Sequence, residues 1–456
     1  MSQIKDALRS VFITACMLTK TTELATRRLG SAFFLPALFV LRYASMGGLD
    51  PKHFEAQLKG VRSFKDEVWC GYWNELARQQ LAAMKAAWPG IADLTQATNQ
   101  DWSALRDALT PLGKRVVELM TSSEDHVKHA LAADTRTTPA SQRAVEALRC
   151  LVKAITYYQV SAFPGGSAAR MEAYALSRSL FNELTHIVGP LLGVEIEKRR
   201  IEVDGDVVEG YLMVPGGTEH HPLLIVTNGL EGTVQELAIP LLRYHDSGMA
   251  MFVMEMPGTY AYRKPMSSAS EAVYHTVFDQ LSRAPRIDAQ RMGFLGVSFG
   301  AYWAARMAGS NKHLRCAVAC GAPTHRSFQA ASTIGIPDII VRALLNTVGA
   351  NTLMSLSLKL QALSLRNFYQ KIKIPLLVIN GDRDTLVSTQ DSIDLASGAQ
   401  KGELKLYPND DHCAMAHYTE WLDLSHAWIR NLLLPATSKQ PEQRGHDHYA
   451  PRAGAD

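Results

Sequence analysis

The pentapeptide Gly296-Val297-Ser298-Phe299-Gly300 constrains this chain more than any other stretch. An apolar, strand-like run, Met292–Val297, leads into it, and a helix-like run, Phe299–Ala308, leads out. A serine between two glycines at such a junction reads as a sharp strand-to-helix turn. The turn forces Ser298 into a strained backbone conformation, and the flanking glycines give it steric room. Its hydroxyl then stands at the top of a sheet, at the positive end of a helix. The N–H of Phe299 is placed to bind an oxyanion. The pentapeptide alone is a weak signal, and its strand–turn–helix setting makes it a strong one.

The rest of the chain supplies such a sheet. Residues 1–190 read as helical. The segment SFKDEVWCGYWNELARQQLAAMKAAW sets apolar residues at i, i+3, i+4 and i+7, and Pro89–Gly90 ends it. A second helix spans 142–160. Phe163-Pro164-Gly165-Gly166 breaks it before a third, Ala168–Ile187. Near 194 the period changes from helical to alternating. VEIEKRRIEVDGDVVEGYLMVPGG predicts a hairpin turning at Asp204–Gly205. Strands at 223–227, 249–254, 292–297, 315–320, 376–380 and 404–407 then alternate with helices such as 235–245 and 271–282. That rhythm predicts an α/β fold, a mostly parallel sheet with helices on both faces. A Leu-rich, mostly helical insertion at 322–370 is expected over the C-terminal edge of the strands. The polar, His-rich tail, 436–456, is expected to be disordered, with His446 and His448 a minor metal-binding alternative.

A serine hydroxyl needs a base to become a nucleophile. His412, after the last strand, suits that role. His417 is the alternative, but it sits inside a helical segment. The acid belongs in the loop after PLLVIN, where Asp384 fits better than Asp382 because it lies further past the strand end. The order Ser298, Asp384, His412 is that of the α/β-hydrolase fold. A second oxyanion donor belongs in the loop Thr227–Thr233. There Gly229 permits a tight turn, and the N–H of Leu230, or else of Glu231, is the expected donor. Glu231 has two readings. Either it is a surface acid favoured by a helix start, or it is desolvated in the pocket and serves as a proton or hydrogen-bond donor.

Together the helical N-terminal region, the NGLEGTVQE loop, GVSFG, NGDRD, DDHC and AITYYQVSAFPGGSAARMEAYALSRSLF resemble the family of 2,6-dihydroxypseudooxynicotine hydrolase. The heptaketide chain-shortening hydrolases and the fermentation/respiration switch esterase-like proteins belong to the same group. The likeness spans roughly residues 50–435. It implies an N-terminal helical cap and dimerisation domain, a catalytic domain at 191–435, and a homodimer. It also implies hydrolysis of a C–C bond next to a carbonyl, in a β-diketone or polyketide-like substrate of secondary metabolism. In that reading Glu231 matches the family's acidic residue, and Tyr157, Tyr158, Arg170 and Tyr174 are candidate substrate contacts, with core packing as the alternative for each. A carboxylesterase or thioesterase, or an acyltransferase or cyclase, could use the same residues. A non-catalytic regulatory binding protein is the reading from another class, and the filled triad positions argue against it.

Composition narrows the partners. A net charge of +3 over 456 residues, with no long basic run, gives no footprint for nucleic acid. The apolar stretches Val11–Met17 and Ser31–Leu41 fall short of the ~18 residues of a membrane helix. Six scattered cysteines without a C-x-x-C pair fit a reducing, cytoplasmic setting. No dinucleotide fingerprint, phosphate loop or H-E-x-x-H is present, so neither cofactor nor metal is expected.

Overall fold

Period-2 alternation becomes two faces of one sheet in the computed structural model, which describes residues 2–434 apart from 37, 96–99, 330, 331, 333 and 334. The tail expected to be disordered, with His446 and His448, lies outside the described residues. Eight strands form the sheet: β1 (Val194–Val203), β2 (Asp206–Pro215), β3 (His221–Thr227), β4 (Ala250–Met254), β5 (Ile287–Val297), β6 (Leu314–Cys320), β7 (Leu376–Gly381) and β8 (Gly402–Tyr407). Their order is β1-β2-β4-β3-β5-β6-β7-β8. The hairpin β1–β2 is antiparallel, β2 pairs antiparallel with β4, and all pairs from β4 to β8 are parallel. Asp204 and Gly205 turn the hairpin with φ of 50° and 82°, as an Asp–Gly pair at a two-residue turn should.

In β3, Leu223 and Ile225 pack into one core and Leu224 and Val226 into the other. The helices Glu271–Leu281 and Phe299–Ala308 cover the first face. On the other face lie Val234–Leu241, Tyr418–Leu433 and the N-terminal helices. The central strands β3, β4 and β6 therefore bury both faces, apart from Arg315 at the start of β6, which explains their near-continuous apolar runs.

The N-terminal region centres on the helices Asp66–Ala87, Pro139–Ala162 and Ala168–Leu192. Thr138 and Ser167 cap the second and third, accepting the N–H of Ser141 at 3.1 Å and of Arg170 at 3.3 Å. The third helix runs past the expected Ile187 to Leu192, and Gly193 ends it at φ 66°. The helix expected over 235–245 stops at Leu241, and a 3-10 turn follows at Leu242–Tyr244. Between the second and third long helices, Phe163 packs on Phe39 with ring centroids 5.0 Å apart. The short helix Leu38–Gly47 thereby packs against the helix Val234–Leu241 and the turn His412–His417 that follows β8. The stretch 322–370 contributes the helices Asp338–Val348 and Leu353–Gln361. All six cysteines are buried and unpaired. Among the described residues, no single helix is long and apolar enough to cross a membrane.

One buried acid ties the helical region to the sheet. Glu255, just past β4, is 3% exposed. It accepts the Tyr174 hydroxyl at 3.0 and 2.8 Å and the Val234 N–H at 3.3 Å. Burial, only partly offset by the Arg178 guanidinium, pushes its carboxyl from 4.5 up to about 7. The unfolded chain gives up this proton near 4.5 and the folded chain only near 7, so stability falls as pH rises through that window. A shift of this size is worth at most about 3 kcal/mol. Glu255→Gln should therefore gain stability relative to the wild type between pH 4.5 and 7, and the gap should level off above. Denaturant melts across that range check this, and parallel profiles for the two proteins would count against it.

Candidate active site

Four loops at the C-terminal ends of parallel strands meet at Ser298. The serine lies between β5 and the helix Phe299–Ala308 at φ 56° and ψ −123°. A side chain there is strained and persists only where its surroundings fix it. Its N–H donates to the Cys320 carbonyl at 2.7 Å. Glycine is needed on both sides for close packing. A methyl on Gly300 would lie 2.5 Å from the Thr227 oxygen, and one on Gly296 would overlap the Gly300 carbonyl.

His412 follows β8 and is 4% exposed. Its Nε2 stands 2.8 Å from Ser298 Oγ and its Nδ1 2.8 Å from Asp384 Oδ2. The arrangement suits an imidazole that donates to the carboxylate and accepts from the serine hydroxyl. Asp384 is wholly enclosed. Its Oδ1 accepts the N–H groups of Leu386 and Val387 at 2.8 and 2.7 Å, and its Oδ2 also accepts Asn380 Nδ2 at 2.8 Å. Burial opposes charge on His412, but the Asp384 carboxylate outweighs it and holds the imidazole well above its ordinary value.

The alternatives sit elsewhere. Asp382 accepts the Asn409 N–H at 2.7 Å. His417 pairs with Asp410 at 2.7 Å and stacks on Tyr407. Asp411 binds the Thr385 N–H at 2.7 Å and the His412 N–H at 2.8 Å, joining the loops that carry Asp384 and His412. Asn380 was not singled out from the sequence. Its Oδ1 accepts the N–H groups of Gly381 and Cys413, and its Nδ2 holds Asp384. The Asn-Gly pair at the end of β7 was the available signal.

The β3 loop approaches the serine directly. A methyl on Gly229 would lie 2.5 Å from Ser298 Cβ and 2.9 Å from the Phe299 nitrogen. The expected reason for this glycine was a tight turn. Its function is close approach, and Glu231 takes the positive φ, 56°. Neither the Leu230 nor the Phe299 N–H has an acceptor among the described residues. Both residues line the cavity with Ser298.

Glu231 is 3% exposed, so the surface reading does not hold. Its carboxylate does not reach the cavity at Ser298. It accepts the Gly165 N–H at 2.6 Å, tying this loop to the turn between the two long helices. Burial pushes its carboxyl up, against the pull of that N–H and of Tyr260, Arg42 and Arg170.

The candidate substrate contacts of the helical region do not line the cavity either. The Tyr157 hydroxyl bonds Gln57, and Tyr158 is enclosed in helix packing. Arg170 pairs with Asp66 at 2.8 Å and holds the Phe163 and Phe64 carbonyls. Tyr174 binds Glu255 and stacks on Tyr260 at 4.5 Å. The helical region meets the cavity instead through Pro36, Leu38, Phe39, Arg42 and Phe163. Most of these precede the part of the chain where the resemblance begins, and no motif marks them.

The cavity over Ser298 measures about 130 Å³. At ~12 Å³ of centre space per water, it holds about ten waters, or a ligand of ten to fifteen heavy atoms. Phe328, Ile336, Ile340, Leu344 and Leu360 of the insertion close one side. The wall is mostly apolar. Among the described residues that line it, the two basic side chains are both paired, Arg42 with Glu236 and His412 with Asp384.

A family model described as Esterase FrsA-like matches residues 126–434. Esterase FrsA of Vibrio cholerae serotype O1 is 25% identical over 307 residues, covering 64% of this chain and 72% of that protein. The 2,6-dihydropseudooxynicotine hydrolase of Paenarthrobacter nicotinovorans is 24% identical over 272 residues, covering 58% and 72%. The crystal structure of 2,6-dihydroxy-pseudo-oxynicotine hydrolase has a TM-score of 0.61 at 19% identity, over 86% of this chain and 95% of its own. That likeness is one of fold.

Gly229→Ala should push the β3 loop off Ser298. A displacement of this kind costs on the order of 10²-fold in kcat. Steady-state kinetics on a p-nitrophenyl ester, beside a thermal melt, check it. Unchanged kcat in a folded variant would separate this loop from the chemistry.

Proposed function

The chain belongs to the FrsA-like esterase family, and from that premise we propose that it is a serine acyl hydrolase acting on neutral, apolar carbonyl compounds. The observation that carries the reading is the pair of 2.8 Å contacts joining Ser298, His412 and Asp384 at the floor of an apolar cavity. In this reading His412 takes the serine proton as Oγ attacks the carbonyl carbon. Asp384 stabilises the imidazolium. The N–H groups of Leu230 and Phe299 hold the oxyanion. The tetrahedral adduct expels its leaving group, which takes the proton from His412. Water, activated by the same imidazole, then releases the acid.

The ester reading is the better supported of the two cleavages. An alkoxide or phenolate leaves readily, and His412 alone suffices as its proton donor. Cleavage of a C–C bond in a β-diketone or polyketide-like substrate is the second reading. The matched hydrolase from Paenarthrobacter nicotinovorans favours it. An enolate must then leave and be protonated on carbon. With the Glu231 carboxylate held by Gly165, that proton also has to come from His412.

Selectivity follows from the wall. With Arg42 paired to Glu236 and His412 to Asp384, the described residues of the wall offer no spare cation for an anionic acyl chain. A p-nitrophenyl butyrate should be turned over far faster than the matching hemisuccinate, and an aryl β-diketone measured beside them separates ester from C–C cleavage. Ser298→Ala should lose at least ~10⁴-fold in rate. Wild-type activity in that variant would remove the serine mechanism. The base must be neutral to act, so kcat/KM should rise with pH to a midpoint above 6.5. In Asp384→Asn the remaining activity should titrate lower, because the charge that raises His412 is gone. A pH–rate profile of both proteins decides this.

A further inference from the structure

A buried arginine far from the triad in sequence grips the loop that carries Leu230. Arg42 lies on the helix Leu38–Gly47, outside the matched residues 126–434. Its Nη2 donates to the Glu231 carbonyl at 2.7 Å and to Glu236 Oε2 at 2.7 Å, and its Nε donates to Glu236 Oε1. The guanidinium carbon sits 5.3 Å from the Tyr43 ring centroid and 5.9 Å from that of Phe163. Its side chain is 14% exposed and that of Glu236 is 1% exposed.

Glu236 passes the grip on. Its Oε2 accepts Asn228 Nδ2 at 3.2 Å and the Thr233 N–H at 3.0 Å. Asn228 Oδ1 in turn accepts the Gly229 N–H at 2.9 Å. The segment Gly229–Leu230 is therefore held at both ends by one guanidinium. One end runs through Glu236 and Asn228, and the other through the carbonyl of Glu231. The second end is the one that needs holding. Glu231 is a non-glycine residue at φ 56°, a conformation that persists only when neighbours impose it. Tyr260 at 3.2 Å to the same carbonyl and Gly165 at 2.6 Å to the carboxylate complete the clamp.

We propose that Arg42 is a positioning residue for the oxyanion loop, fixing the Leu230 N–H against Ser298 from an N-terminal segment outside the family match. The inference rests on the serine-hydrolase reading above. It assigns Arg42 no contact with the reacting atoms. It predicts that losing Arg42 weakens binding of the transition state and spares binding of the ground state.

Removing Arg42 alone would strand the Glu236 charge, so the main variant is Arg42→Met/Glu236→Gln, with Arg42→Lys beside it. Full-length proteins are compared by thermal melt, by fluorophosphonate labelling to count competent sites, and by kcat and KM on p-nitrophenyl butyrate. Two inhibitors of the same acyl shape add the discriminating readout. A trifluoromethyl ketone forms an oxyanion on Ser298, and the matching secondary alcohol does not. The double variant should lose on the order of 10²-fold in kcat per labelled site, with KM held within about 3-fold. The ketone should weaken by the same factor as kcat, with alcohol affinity unchanged. Arg42→Lys, which keeps the charge and loses the fork, should fall between. A folded double variant with wild-type kcat and ketone affinity overturns the proposal, and so does a change in KM alone. If the double variant does not fold, the same readouts on Arg42→Lys decide. A wild type that neither labels nor depends on Ser298 defeats the underlying reading, and this inference with it.

Discussion

Everything at this site depends on two backbones lying closer than side chains would permit. The turn at Ser298 and the loop after β3 meet with no room for a methyl group on Gly229. Gly300 meets the Thr227 and Asn228 oxygens just as tightly. This contact sets Leu230, Phe299 and the serine along one cavity. Neither half is at ease by itself, since Ser298 and Glu231 both hold positive φ. Such strain survives because parallel pairing fixes β3 against β5 residue by residue, up to Thr227 opposite Gly296. The sheet register is thus the ruler from which the site is measured.

The helical region supplies what the sheet cannot. The β3 loop turns the Glu231 carbonyl and carboxyl inward, away from the cavity. Arg42, the Gly165 N–H and the Tyr260 hydroxyl occupy that side. Further along both segments, Tyr174 and Glu255 repeat the pattern across the same boundary. Apolar packing, as of Phe39 on Phe163, is tolerant of small shifts, whereas these polar ties fix orientation. The helical region is therefore part of the site's scaffold as well as its roof.

What could be read in the sequence follows from the range of each interaction. Ser298, Asp384 and His412 were findable because each stands at a strand end, and strand ends are marked by local pattern. The choice of Asp384 over Asp382 followed from distance past the strand, a backbone argument that needs no partner. Arg42 could not be found, because its acceptors lie 189 and 194 residues away and its own surroundings read as plain helix. Glu231 was visible as an anomaly, but its direction was not. A backbone N–H, that of Gly165, holds the carboxylate, and side-chain patterns do not record backbone donors. Tyr157, Tyr158, Arg170 and Tyr174 came from the resemblance alone, and partners distant in sequence, such as Gln57, Asp66 and Glu255, decide their placement.

The orientation of Glu231 also bears on chemistry. An acid aimed into the cavity would oppose the oxyanion unless protonated, and once protonated it could serve a carbanion leaving group. Turned toward Gly165, it does neither. Its carboxyl instead ties the loop to the turn at Gly165. In the proposed mechanism, proton traffic is then left to one imidazole, which takes a proton from Ser298 and gives it to whatever departs. For an oxygen leaving group those two points lie close together, so a single base within 2.8 Å of Oγ serves both. For a carbon leaving group the enolate has to present its carbon to that same nitrogen. Phe328 and Leu344 line the cavity, and in this reading their bulk restricts how a substrate can turn to do so. Shape, rather than a second acid, is what would separate the two reactions in this fold.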